Sequence, residues 1–309
     1  MGRQDLHERG NGVRKENHRC RVLKSNNREM SDKPITIIKP QNNLLALNLG
    51  TLWKYRDLIR MFVKRDFTTF YKQTILGPLW FIIQPLFTSA MFMLIFGRLA
   101  NISTDETPQM LFYMAGVINW NYFSECLLKT GNTFAENKNL FGKIYFPRLA
   151  VPLSEVITNM IRYAIQLTLF LVFYLFFFIS GVLISPNWLI VFTPLVLLYL
   201  ALLSLGYGMW ISSLTAKYWD LKFALPFVIQ LWMYATPIVY PLSLFPEKYK
   251  MFMILNPVTP AIEFFKMAWL GVGTVNFLHS GLSLFLAILI IATGLIVFNR
   301  TEKTFVDTI

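Results

Sequence analysis

Three polar residues at helical spacing carry the most chemistry this chain offers: Glu155, Asn159 and Arg162, at i, i+4 and i+7. That spacing sets them on one helical face, within largely apolar sequence where an ionised group is costly and is normally paired. Glu155 and Arg162 stand two turns apart, so a direct ion pair between them is strained. The trio reads as a gate, as a contact for a polar headgroup, or as an internal polar clamp near a helix start. Glu263 and Lys266 can pair at i, i+3. Other chemistries are missing. A phosphate-cradling loop needs G-x-x-x-x-G-K-[ST], and the only Gly-Lys pair, Gly142-Lys143, has Asn137 in place of the first glycine and Ile144 after the lysine. No paired carboxylates suggest acid–base hydrolysis, so no catalytic residue is assigned. Cys20 and Cys126 are too few for a disulfide framework or a Cys-based zinc site. Of the three histidines, His7 and His18 sit in a polar leader and His279 far away, so no metal site is expected. The chain itself is expected to bind no cofactor.

The elements that must position these residues are membrane helices. Of 309 residues, 55% are apolar and only 15% charged, with mean hydropathy +0.47, against about 25% charged in soluble domains. Lys and Arg number 29 and Asp and Glu 17, a net charge of +12. Sixteen of the cations lie in residues 1–75 and none between Tyr163 and Ala216, which suits a membrane protein and not a nucleic-acid groove. A crossing needs about 20 apolar residues. Stretches without Asp, Glu, Lys or Arg are Gln73–Gly97, Thr107–Ser124 (extending past Glu125 to Leu128), Phe223–Leu242 and Phe277–Phe298. The uncharged run Tyr163–Ala216 is 54 residues long and must fold back at Ser180-Gly181 and Ser185-Pro186-Asn187, giving helices over about 153–179 and 189–215. It offers no charged relay of the kind a proton-coupled carrier uses. The expected architecture is an all-α integral membrane protein with six transmembrane helices. Residues 243–276, broken by prolines and glycines, are read as re-entrant helices between the fifth and sixth crossings, and Pro237 and Pro241 are expected to kink the fifth. Twenty-five of the 29 cations then share one side with both termini, which makes that side cytoplasmic and the uncharged 179–188 turn external.

The amino-terminal stretch divides in two. Residues 1–51 are a polar tail, whose first 29 residues are expected to be disordered or to precede a true start at Met30. Residues 52–72 carry apolar positions at helical spacing with cations between them, and Trp53 and Tyr55 suit an anchor. This is the pattern of an amphipathic helix lying in the bilayer interface. Residues 73–300 form the six-helix domain and 301–309 a cytoplasmic tail.

Four segments in order resemble one known family. They are Tyr71-Lys72-Gln73-Thr74-Ile75-Leu76-Gly77-Pro78-Leu79-Trp80 with Gln84-Pro85; Asn139-Leu140-Phe141-Gly142-Lys143-Ile144-Tyr145-Phe146-Pro147-Arg148 with Pro152; Tyr218-Trp219-Asp220-Leu221 leading to Ala235-Thr236-Pro237-Ile238-Val239-Tyr240; and Asn256-Pro257-Val258-Thr259-Pro260-Ala261-Ile262-Glu263. Together they are similar to ABC-2 type permeases that export O-antigen, capsule or teichoic acid. The resemblance spans about Leu52 to Arg300. It implies a homodimer in the cell inner membrane, two separate ATPase subunits that hold ATP and Mg beneath it, and a lipid-linked polysaccharide as cargo. The re-entrant segment would then be periplasmic.

The resemblance assigns roles to further residues. The 132–147 loop, with Phe134, Leu140, Phe141, Ile144 and Tyr145 among Glu136, Lys138 and Lys143, would be the coupling helix that seats in the ATPase. Sugars stack C–H faces on aromatic rings and need donors and acceptors for their hydroxyls. Candidate glycan-lining residues are therefore Tyr113, Asn119, Trp120, Asn121 and Tyr122 in the second helix, with Trp80, Tyr207, Trp210, Trp232 and Tyr234; each could equally face lipid or core. Arg56, Arg60, Lys64 and Arg65 would meet a lipid-linked pyrophosphate or the anionic membrane surface. Competing readings are an ABC-2 permease for another lipid or a drug, and a membrane-embedded glycosyltransferase or polymerase. The latter needs a carboxylate or metal cluster that the sequence lacks.

Overall fold

The computed structural model describes residues 49–305 except 106, 144–145, 183, 245–252, 254 and 276. The described residues lie within one compact unit, residues 44–309. They are helical, with no strand among them. The expectations for residues 1–48 fall outside them.

Two helices precede the bundle: α1, Leu49–Lys54, and α2, Arg56–Gln73. The expected continuous helix over 52–72 is thus interrupted at Tyr55, whose ψ of 16° steps out of the helical well. A short 3-10 turn, Gly77–Leu79, opens α3, Trp80–Phe92, which runs on as a wide π turn, Met93–Leu99. The central helix α4 is Gln109–Gly131. Two single turns follow, α5 (Thr133–Glu136) and α6 (Lys138–Phe141). The long helices α7, Ala150–Ile179, and α8, Thr193–Lys217, form the hairpin expected from the uncharged run. Then come α9, Leu221–Tyr234; α10, Thr259–Leu270; and α11, Phe277–Phe305.

Among the described residues, four stretches are long and apolar enough to cross a bilayer: Gly77–Leu99, Ala150–Ile179, Trp188–Lys217 and His279–Glu302. Two of the six expected crossings differ. The second expected crossing, α4, has the length, 23 residues, but carries more polar groups because it is the core of the bundle: Leu111 through Ile118 are almost wholly buried. It packs on α3, α7, α8 and α10. The fifth, expected to reach residue 242, stops at Tyr234. Pro237 and Pro241 therefore do not kink it; they lie beyond its end, where a residue without an N–H cannot extend the hydrogen-bond ladder. The proline inside α9 is Pro226. At the other end of the chain, α11 continues through Phe305, beyond the expected boundary at 300.

Close backbone approach fixes α8 on α11. A Cβ placed on Gly294 would come within 2.6 Å of the Gly206 carbonyl oxygen, and Trp210 Nε1 donates to Thr293 Oγ1 at 3.0 Å beside this crossing. Small residues at such a crossing let apolar helices touch along their backbones. A second, smaller core joins Leu52, Ile59 and Phe62 of α1 and α2 to Phe134, Phe141 and Phe146, and to Leu295 and Phe298 of α11.

Candidate functional site

Helices α3, α4 and α7 enclose a partly open cleft of about 230 Å³. Each wall follows from helical spacing. Asn121, Glu125 and Lys129 repeat at i+4 along one face of α4, with Tyr122 beside them. Asn159, Arg162, Tyr163 and Gln166 make the facing stripe of α7. Trp80, Phe81 and Gln84, one turn of α3, close the third side. The gate trio is thereby divided. Asn159 and Arg162 line the cleft, while Glu155, one turn nearer the helix start, does not. The anticipated strained contact of Glu155 with Arg162 is replaced by a cross-helix one: Arg162 Nη1 lies 3.7 Å from Glu125 Oε2, and the guanidinium sits 5.1 Å from the centre of the Phe81 ring.

The interior end of the cleft is polar and uncharged. Tyr163 donates its hydroxyl to Asn119 Oδ1 at 3.1 Å, and Asn119 Nδ2 donates to the Ala115 carbonyl at 2.8 Å. Both amide atoms of Asn159, and Gln166 Oε1, are buried with no oxygen or nitrogen partner among the described residues. An unsatisfied buried amide costs about 1–3 kcal/mol. Groups of this kind at the lining of a cleft suit a hydroxyl-bearing guest or bound water.

The other lining candidates separate by position. Trp80, Asn121 and Tyr122 reach the cleft. Tyr113, Trp120 and Trp232 belong instead to the interior, where their rings complete an aromatic core, and Asn119 is fully buried, bonded to Tyr163 and to the Ala115 carbonyl. Trp120 meets Trp232 edge-on at 6.2 Å, and Tyr207 does so at 5.2 Å; Tyr113 packs against Phe92 and Phe112. Trp210 and Tyr234 are partly exposed outside the cleft. Gln84, Glu125, Lys129 and Gln166 were not among the site candidates of the sequence reading. The i, i+4 spacing of Glu125 and Lys129 was a usable signal, whereas the cleft depends on how three helices meet.

The four candidate cations of α2, Arg56, Arg60, Lys64 and Arg65, are exposed. Arg60 pairs with Asp57 at 3.4 Å and Arg65 with Asp66 at 2.8 Å, while Arg56 is 4.0 Å from Asp57. Exposed pairs of this type contribute about 0–1 kcal/mol, so the arginines are free to exchange partners at a charged surface.

In the segment after α4, expected to be the coupling helix, two of the named aromatic residues turn inward. Phe134 and Phe141 are buried within their own chain, Phe134 meeting Phe298 at 4.8 Å and Phe141 meeting Phe146 at 5.7 Å. The outward residues are Glu136, Lys138, Asn139, Gly142 and Lys143, with Leu140 half-buried. Glu136 lies 3.8 Å from Lys222 at the start of α9. Ile144 and Tyr145 fall outside the described residues.

The motifs at 235–240 and 256–263 are stitched together. Asn256 Nδ2 donates to Thr236 Oγ1 at 2.8 Å, and Asn256 Oδ1 accepts from Trp232 Nε1 at 3.2 Å. Lys266, fully buried, donates to the Pro237 carbonyl at 2.6 Å, stands 3.7 Å from the Phe112 ring centre, and lies 4.0 Å from Glu263 Oε1.

The sequence pattern of the ABC-2 type transporter family matches residues 57–270. The chain is 26% identical to the O-antigen export system permease protein RfbA of Klebsiella pneumoniae, over 85% of this chain and 98% of that protein. It is 27% identical to the RfbA of Myxococcus xanthus, over 67% of this chain and 78% of the relative. With the polysialic acid transport protein KpsM of Escherichia coli it shares 22% identity, over 77% and 91%. The chain belongs to the ABC-2 type transporter family.

Proposed function

We propose that this member of the ABC-2 type transporter family is the membrane subunit of an exporter that carries a lipid-linked polysaccharide, O-antigen foremost, across the cytoplasmic membrane. The observation that carries this reading is the match to an O-antigen export permease along 98% of that protein's length. The cleft supports it: indole, amide and hydroxyl groups between α3, α4 and α7 can stack on sugar rings and hydrogen-bond their hydroxyls. Two copies form the conduit, with α4 and α9 joining the four apolar helices as crossings and α10 re-entering from the outer face. Both termini are cytoplasmic. ATP and Mg are held by two partner ATPase subunits, whose movement reaches this chain through residues 132–147. The exposed cations of α2 meet the lipid's pyrophosphate or the anionic surface.

The test is reconstitution. The chain is co-expressed with a candidate ABC ATPase partner and placed in vesicles with a fluorescent undecaprenyl-diphosphate-linked oligosaccharide. Co-purification, ATP hydrolysis stimulated by that lipid and ATP-dependent transfer to the far leaflet are expected. A complex that hydrolyses ATP at the same rate with and without the lipid, and leaves it in place, would sink the reading.

A further inference from the structure

Arg148 is an unusual residue to bury. It follows the two short turns α5 and α6, is 8% exposed, and sits within the second core, its guanidinium 5.5 Å from the centre of the Phe141 ring. A leucine would fill such a place without the cost of desolvating a charge. What the arginine alone supplies is a grip on α11. Its Nη1 donates to the main-chain carbonyl of Glu302, and its Nε is 3.9 Å from that residue's carboxylate. Glu302 is in the last turn of α11, where carbonyls run short of intrahelical donors and a cation is favoured by the helix dipole. The helix end is thus capped by a residue 154 positions away in sequence.

The aromatic contacts run the same way. Phe134 leans on Phe298 of α11, and Phe146 lies 5.8 Å from Phe62 of α2. The described residues of 132–148 are therefore fastened not only to α4 and α7, which they connect, but to Phe62 of α2 and to Phe298 and Glu302 of α11.

We propose that Arg148 is a positioning residue for coupling: by clasping the last turn of α11 it makes residues 132–143 and 146–148, α2 and α11 one rigid block, so that a push from the motor subunit moves α11 and not the segment alone. The inference rests on the function proposed above. A packed block transmits displacement because it has few alternative arrangements, whereas a loose connector absorbs it.

The experiment uses the reconstituted complex and reads three quantities: ATPase co-purification, ATP turnover, and oligosaccharide moved per ATP. Three variants are compared with the unaltered chain: R148Q, R148K and a chain ending at Arg300, which lacks the clasped carbonyl. With R148Q and with the shortened chain, co-purification and ATP turnover should persist while oligosaccharide moved per ATP falls about fivefold, within the range by which such coupling contacts act. R148K, which keeps the charge and one donor, should fall between. An unchanged ratio in R148Q and the shortened chain overturns the proposal. So does a loss confined to co-purification, which would make Arg148 part of the docking surface. Failure of the unaltered chain to move the lipid counts instead against the parent reading.

Discussion

Gln166 offers the sharpest test of what the cleft is for. Its Oε1 is buried without an oxygen or nitrogen partner among the described residues, so Gln166→Leu removes an unsatisfied acceptor and should leave thermal stability equal or slightly raised. If a sugar hydroxyl donates to that oxygen during export, the same change should slow transport about two- to tenfold, the worth of one neutral hydrogen bond. Melting temperature and transport rate measured on one preparation separate the outcomes; a stable variant with undiminished transport removes Gln166 from the path. Lys266 makes the opposite case. It is fully buried, and its contacts tie α10 to α4 and to the turn after α9. Lys266→Ala strands Glu263 and should destabilise the protein by about 3–5 kcal/mol, whereas replacing both Glu263 and Lys266 by apolar residues of similar volume should cost much less. A double-mutant cycle on thermal unfolding in detergent measures the difference.

At the scale of elements, residues 132–148 show why a sequence reading stops short. Phe134, Leu140 and Phe141 in a polar connector look like a surface awaiting a partner, because nothing local reveals that α2 and α11 come round to cover two of them. The hairpin of α7 and α8 was legible because its 54 uncharged residues exceed one bilayer crossing and contain turn residues. The end of α9 was not: apolar sequence continues past Tyr234, and only the stitching of Thr236 and Pro237 to Asn256 and Lys266 shows the chain leaving the helix. The cleft was half legible, since Asn159 and Arg162 share a helical face whatever they contact, while Glu125 could be matched to Arg162 only once α4 lay beside α7. The burial of Phe141 changes what its replacement means. Phe141→Asp should unfold the second core, appearing as lost expression and a lowered melting temperature. Lys138 and Lys143 are exposed, so exchanging both for Glu should leave the melting temperature unchanged and weaken ATPase co-purification, the more so at low salt. Retained binding would place the motor's contact elsewhere.

For the whole molecule the open quantity is how often the chain crosses, and α4 decides it. The four clearly apolar stretches alone would return both termini to one side, as six crossings do, so terminal accessibility does not discriminate. The loops do. At about 1.5 Å per residue, the 23 residues of α4 span about 35 Å, enough for a hydrocarbon core of about 30 Å. Its polar side chains are not turned to lipid: Asn119 is bonded inside the bundle, and Asn121, Glu125 and Lys129 face the cleft, the placement that makes polar groups tolerable at membrane depth. The shortness of α9 is met by the turn that follows, since Thr236 through Val239 are buried in protein and the Pro237 carbonyl is occupied by Lys266; irregular backbone survives in a membrane under that condition. Six crossings put Ser103 outside and Lys143 inside, whereas four put both on the same face. In a background with Cys20→Ser, Ser103→Cys should react with an impermeant maleimide added to intact cells. Lys143→Cys should react only after the membrane is opened, and labelling of both from outside would leave the chain with four crossings and place residues 132–148 beyond the reach of any cytoplasmic motor.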